Sequence, residues 1–512
     1  MRQIFRRKPH HAALIEHVDP QVEVEPQLRR SLSVWQLGAL GVGAIVGAGI
    51  FSGAGTAIAG GPGHLGAGPA LIVSYILVAI ACGFAALCYA EFAAMIPQAG
   101  SAYTYAYATF GELVAWIIGW DLIIEYAVGN VALAVSWSGY FQELLRGVGM
   151  PLPEWLATDY VTAFRGADAV AAAVDPSTLA PHVLEAAEAV NTAPNLLGVP
   201  FIFNLPAVLI VAFITWILVL GIRESARFNT AMVVVKLGIL FVFVVVGAFF
   251  VRPENWTPFA PNGFPGIWMG ASLIFFAYIG FDAISTAAEE AKNPQRDMPR
   301  AMIGSLVITS LLYILVTVVL TGLVPWQQLG TAEPLATAFA ERGLDVMAGV
   351  ISVAALFATA SVLLVFQLGQ PRIFFSMARD GLLPSWAARV HPKHRTPHVS
   401  TIVTGILVGV FAAFAPIDAV IELTNIGTLF AFVLVSGGVW LLRHLEPDRP
   451  RPFRTPWVPF VPIAAIVSCG WLMVGLPGRT WLRFALWLLA GLVIYALYGY
   501  RRSRLHDGGN GS

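Results

Sequence analysis

The sequence predicts an all-α integral membrane protein. Twelve transmembrane helices are expected, as a 5+5 inverted repeat with discontinuous helices 1 and 6, followed by two C-terminal helices. Three observations predict this. The 512 residues are 57% hydrophobic and only 12% charged, about half the charge of an ordinary soluble chain. Apolar runs of 18 or more residues recur from end to end, each long enough to cross a bilayer. Two of those runs, the first and the sixth, are interrupted where a helix ought to be whole.

Taken in order, residues 1–33 read as a polar cytoplasmic tail. The opening MRQIFRRKPHHAALIEHVDP has no apolar core and so is not a cleavable signal peptide. The expected spans are 34–60, 68–95, 108–142, 203–222, 229–251, 264–288, 301–325, 346–371, 398–415, 419–443, 458–477 and 481–500. Residues 34–251 form the first repeat, 264–443 the second, 458–500 the last two helices and 501–512 a second cytoplasmic tail. With both termini inside, 23 Lys/Arg fall in the inside segments and six outside, as the positive-inside rule requires. Residues 145–202 form the longest outside stretch, with seven carboxylates from Glu143 to Glu188. It reads as a solvated loop, part of which can form a surface helix, or as a lid.

Several function classes fall away. Lys+Arg and Asp+Glu both number 30, so net charge points to no nucleic-acid partner. There is no Walker A motif to drive transport with ATP. Cys82, Cys88 and Cys469 lie in apolar segments without metal-ligand spacing, and read as small buried residues. No nucleophile–base pair is legible, so an enzyme is not expected, and no cofactor or metal is implied.

The informative stretch is GVGAIVGAGIFSGAGTAIAG, residues 41–60. Each glycine costs about 1 kcal/mol relative to alanine inside a helix. In lipid an unwound backbone survives only where protein or a cavity satisfies it. The sixth span, GIWMGASLIFFAYIGFDAISTAAEEAKNPQRDMPR, carries Gly280 and Asp282 at mid-segment. Interrupted helices at matching positions of two halves point to a substrate site between them. A half-helix N-terminus offers N–H groups to a carboxylate, and a C-terminal end offers carbonyls to an ammonium. One of each suits an α-amino acid zwitterion. Glycines that only let helices pack closely are the competing reading.

The stretches GVGAIVGAGIF (41–51), CYAEFAAMIPQAGSAYTYAYATFGE (88–112), FFAYIGFDAISTAAEEAKNPQRDMPRA (275–301), GQPRIFFSMARDGLLP (369–384) and ELTNIGTLFAFVLVSGGVWLLR…RPFRTP (422–456) occur in order. With them the chain resembles the amino acid–polyamine–organocation (APC) superfamily, and within it the bacterial twelve-helix members of the cationic amino acid transporter family. The resemblance implies secondary transport of L-amino acids coupled to protons. By matching position it implies that the substrate carboxylate meets the N–H groups of Gly47, Ala48 and Gly49. The ammonium then meets the carbonyls of Ile45, Phe276, Ala277 and Ile279, with Phe276 helping to close the site. The outer loop 145–202 is longer than the resemblance implies.

Charges inside the spans complete the reading. Lys236 is the only lysine well inside a span, where a charge costs at least about 2.5–3.5 kcal/mol on insertion scales. It is the candidate proton-coupling residue, with snorkelling to the surface as the alternative. In the resembled family the matching lysine takes the place of a sodium ion and reaches a hydroxyl on span 8, here Ser361, with Thr359 as alternate. Glu125, four residues after Asp121 and on the same helical face, is a relay or side-chain contact, or makes a helix–helix hydrogen bond. Asp282 caps the second half of span 6, or serves a proton or a cationic substrate. The clusters Lys292–Arg300 and Arg372–Arg379 fix topology and tether helices.

The expected function is proton-coupled symport of L-amino acids across the cytoplasmic membrane, by alternating access, with a broad or small-apolar preference. The partners are an L-amino acid, the proton and membrane lipid. The alternatives are transport or exchange of cationic amino acids, with Glu125 or Asp282 pairing the side-chain charge, and a sensor that binds without translocating. An ion channel would need a repeated pore loop, which the sequence lacks.

Overall fold

The computed structural model describes residues 30–503, apart from 48, 62–63, 99, 148, 173–180, 197, 332 and 415–416. The chain enters through Ser33, which caps helix α1 (Val34–Ile45) in a reciprocal capping box with Gln36. At 12 residues α1 is about 18 Å long, too short to cross alone. A π turn at Gly49–Gly53 and a short helix α2 (Ala54–Ala59) continue its line.

Helix α3 (Leu71–Met95) is followed by a short helix α4 (Ala102–Thr109). Helices α5 (Glu112–Ile123) and α6 (Gly129–Gly147) form one long span with a π turn, Ile124–Val128, between them. Beyond helices α7 (Tyr160–Ala172) and α8 (Pro181–Thr192) come α9 (Leu205–Leu220) and α10 (Ile222–Ala248). Helix α11 (Gly263–Ile274) passes into tight 3-10 turns at Phe275–Tyr278 and Asp282–Glu290. Then follow α12 (Pro294–Leu323), α13 (Pro334–Ala340), α14 (Asp345–Arg379) and α15 (His398–Phe414). The last are α16 (Ile417–Leu445), α17 (Phe460–Val474) and α18 (Gly478–Ile494).

Among the described residues eight helical segments are long and apolar enough to cross a membrane, and α1, α9, α15 and α17 are shorter apolar helices. All the apolar segments read from the sequence fall on these helices. The only strands among the described residues are two-residue pairs, Gly60–Gly61 with His64–Leu65 and Asn195–Leu196 with Val199–Pro200. One continuous apolar core runs through the bundle. Large apolar side chains such as Trp216, Phe241, Leu311 and Leu486 face outward, where water would make them a liability and acyl chains do not.

The stretch 145–202 is more ordered than a solvated loop. Helices α7 and α8 pack together over Ala163, Ala189, Ala193 and Ile202. Arg146, at the end of α6, holds Glu154 at 2.8 Å and Glu185 at 3.1 Å. The result is a small helical cap with its own apolar seam.

At the opposite end, carboxylates of one span grip guanidinium groups of another. Arg372 of α14 makes a two-pronged pair with Glu290, 3.0 and 2.8 Å, both groups buried. Arg379 pairs with Glu289, and Arg443 with Glu91 of α3, while Arg451 also reaches Glu91. The entering chain is fastened here too: the N–H groups of Ser31 and Leu32 donate to Glu290 O, and Lys292 N–H donates to Leu32 O. Arg372 and Arg379 thus tether helices, as expected of their cluster.

Candidate substrate and coupling site

The α1 helix stops where its glycines begin to crowd. Val46 is extended (ψ 99°) and the next regular hydrogen bonds run from Ile50 and Phe51 to Gly47 O. The carbonyls of Gly43, Ile45 and Val46 therefore point away from a continuing helix. Lys236, fully buried on α10, reaches them: Nζ lies 3.0 Å from Gly43 O, 2.5 Å from Val46 O and 2.5 Å from Ser361 Oγ. An ammonium has three N–H groups and no acceptor, and here all three are matched. Lys236 does not snorkel. Ser361 donates toward Gly43 O and Ala358 O. Thr359, the alternate, bonds back to Ala355 O within its own helix and takes no part.

The second break is at Ile279–Gly280. Ile279 is extended (ψ 133°), and Gly280 has φ +126°, a conformation side chains resist. The two breaks touch. A Cβ on Gly280 would lie 2.5 Å from Ala44 Cβ, and one on Gly49 would lie 2.3 Å from Ala277 Cβ. Gly47 is equally tight against Val362, at 2.3 Å. Gly49 and Gly280 thus serve contact between the two breaks, while Gly47 packs against helix α14. Ala48 lies outside the described residues. Phe276 is half-buried at the second break.

A residue that the sequence reading passed over joins the two. The Tyr313 hydroxyl of α12 lies 2.6 Å from Ile45 O and 2.9 Å from Ala277 O, sharing one donor between carbonyls of both breaks. Its ring packs on Tyr75 and Tyr278, with centroids 5.3 and 5.5 Å away. Its signal was a lone tyrosine in the apolar run SLLYILVTVVL. Asn229 was also missed. It sits seven residues before Lys236, on the same face of α10, and donates to Ala39 O at 3.0 Å.

The buried carboxylates lie beside the second break. The π turn at Ile124–Val128 carries Glu125 toward Asp282 and Thr428, whereas Asp121 faces Gly427 of α16. Asp282 is not a helix cap, a correction to the sequence reading. Phe281 holds the cap position, and Asp282 is the first residue of the turn that follows. Its Oδ2 accepts from Tyr126 OH at 3.0 Å. Neither oxygen of Glu125, nor Asp282 Oδ1, is in hydrogen-bonding geometry, and no basic side chain pairs with either residue among the described residues.

Apolar helices around a buried polar centre define a multi-pass membrane protein. The family model for amino acid permeases matches residues 32–497. The chain is 43% identical over 505 residues to the branched-chain amino acid permease BcaP of Bacillus subtilis, covering 98% of this chain and 99% of that protein. It is 41% identical to the methylthioribose transporter of the same organism, covering 99% and 100%. It is 35% identical to the vacuolar cationic amino acid transporter 4 of Arabidopsis thaliana, covering 82% and 64%. The chain belongs to the amino acid permease family of the APC superfamily, as its motifs implied.

Proposed function

We propose that this chain is a secondary active transporter that carries L-amino acids across the cytoplasmic membrane by alternating access, in symport with protons. The observation that carries the reading is the contact between two helix breaks whose carbonyls are held by Lys236 and Tyr313. The substrate carboxylate meets the N–H groups of Gly47, Ala48 and Gly49. The ammonium meets the carbonyls of Ile45, Phe276, Ala277 and Ile279. A carbonyl oxygen has two lone pairs, so Ile45 and Ala277 can serve Tyr313 and an ammonium together. Phe276 closes the site.

Lys236 is the coupling residue. Charged, it holds Gly43 O, Val46 O and Ser361 together; after proton loss it has fewer donors, and the first break is free to shift. The proton needs no other cofactor. The twelve-span 5+5 arrangement with both termini cytoplasmic rests on the basic-residue bias and the paired breaks. An apolar preference, branched chains included, is supported by the likeness to BcaP. One observation favours cationic substrates instead: Glu125 and Asp282 are buried beside the break, and no basic side chain among the described residues pairs with them.

The test is uptake into proteoliposomes under an imposed inward proton gradient. Labelled leucine, alanine, lysine, arginine and methylthioribose are compared. Accumulation of leucine or alanine, abolished by a protonophore, is expected. Accumulation of lysine alone moves the assignment to cationic amino acids. Binding without counterflow of any compound makes the chain a sensor and defeats the proposal.

A further inference from the structure

A groove of about 710 Å³ opens between the first turns of α12 and the loop before α17, lined by Arg296, Arg300, Ile303, Gly304, Pro452 and Phe453. It lies on the face where the basic-residue bias places the cytoplasm. Four arginines of that face grip carboxylates, Arg372, Arg379, Arg443 and Arg449, but these do not line the groove. Arg296 and Arg300 are exposed, and among the described residues neither side chain has an ion-pair or hydrogen-bond partner. The nearest acid in sequence, Asp297, is buried.

Helical spacing puts residues 296, 300, 303, 307 and 311 on one face of α12. Above the two arginines that face turns apolar, with Val307 52% and Leu311 59% exposed. From Ile303 to Leu311 is about 12 Å along the axis, close to the ~15 Å depth of one leaflet. The loop wall continues into Trp457, 79% exposed, a residue type that settles at headgroup level.

We propose that this groove binds the headgroup of an anionic phospholipid. The phosphate lies across the Arg296 and Arg300 guanidinium groups, whose planar forks match it, and one acyl chain runs along Ile303, Val307 and Leu311. The apolar track distinguishes a lipid from free phosphate, which would use the arginines alone.

The test uses the full chain, purified in mild detergent and stripped of lipid, titrated separately with phosphatidylglycerol, phosphatidylcholine and inorganic phosphate. Thermal stability and lipids retained in native mass spectrometry are read. At about 1 kcal/mol per basic residue near an anionic surface, phosphatidylglycerol is expected to bind about 30-fold more tightly than phosphatidylcholine. The double substitution Arg296→Gln, Arg300→Gln removes that preference, whereas Lys393→Gln, an exposed control outside the groove, keeps it. Native mass spectrometry counts lipids on folded protein only, so a fall in stability does not mask the result. Retention of the preference by the double variant overturns the proposal. So does inorganic phosphate stabilising the protein as well as phosphatidylglycerol does.

Discussion

The centre of the bundle and the end that carries Arg372 and Arg443 handle buried charge in different ways. At that end several carboxylates meet a guanidinium: Arg372 forks onto Glu290, and Arg443 and Arg451 share Glu91. At the centre no such pairing occurs among the described residues. Lys236 is held by two carbonyls and a hydroxyl, and Glu125 faces another carboxylate. A forked ion pair is strong and directional, and breaking it strands a buried charge. Carbonyls of an unwound turn are neutral and have alternatives. The first arrangement suits a fixed tether, or a latch that opens rarely. The second suits a site whose occupancy and protonation change on every cycle.

The comparison is most easily broken at Arg372. Replacing it with methionine leaves Glu290 buried and unpaired, and is expected to destabilise the protein by about 3–5 kcal/mol. Adding Glu290→Leu should restore most of that, measured as the melting temperature of both variants. If the single variant is as stable as wild type, the pair is no tether.

Lys236→Met comes next. It should cut proton-gradient-driven uptake by about 100-fold, the scale of losing a positioned proton-transfer group, while leaving a folded protein that still binds substrate. Uptake that stays fully gradient-driven would remove Lys236 from coupling and make the contrast between centre and end merely structural.

Tyr313→Phe removes one hydroxyl shared by two carbonyls. A loss of about 0.5–1.5 kcal/mol is expected in stability, with a larger fall in transport than in substrate-free stability. Equal loss in both would mean that Tyr313 only packs.

Arg146→Gln sharpens the comparison at the cap formed by α7 and α8. Its pairs with Glu154 and Glu185 are partly exposed, with Glu185 at 41%. A forked geometry counts for little there, and no more than about 1 kcal/mol should be lost, less at high salt. This is read from thermal melts at two ionic strengths.

Part of the centre was legible from spacing, and part only through the family resemblance. The glycines of residues 41–60 marked the first break, and Gly280 marked the second. Lys236 and Ser361 were paired in advance because one lysine stood deep in a span and the resemblance named its partner's helix. Glu125 was picked out as an intramembrane acid, but its neighbour was not. Spacing placed Asp121 and Glu125 on one helical face, whereas what stands near Glu125, Asp282 on another segment, is a matter of tertiary packing. Asp282 looked like a cap because it follows a break, yet the turn begins one residue earlier than that role requires. For residues 145–202 the sequence left a loop, a surface helix and a lid open, and the alanine-rich seam between α7 and α8 is too short to stand out in it.

The sequence by itself determined which segments are helical and apolar, where two of them fail, and which charges are stranded inside. Those are local properties, set by hydropathy, by glycine's cost in a helix and by the absence of water to satisfy a broken backbone. Only the tertiary structure decided what the stranded groups meet. Tyr313 lies 268 residues from Ile45 and Arg372 lies 82 from Glu290. Helix periodicity says which face a residue occupies, and only the packing of all the helices says what stands opposite it.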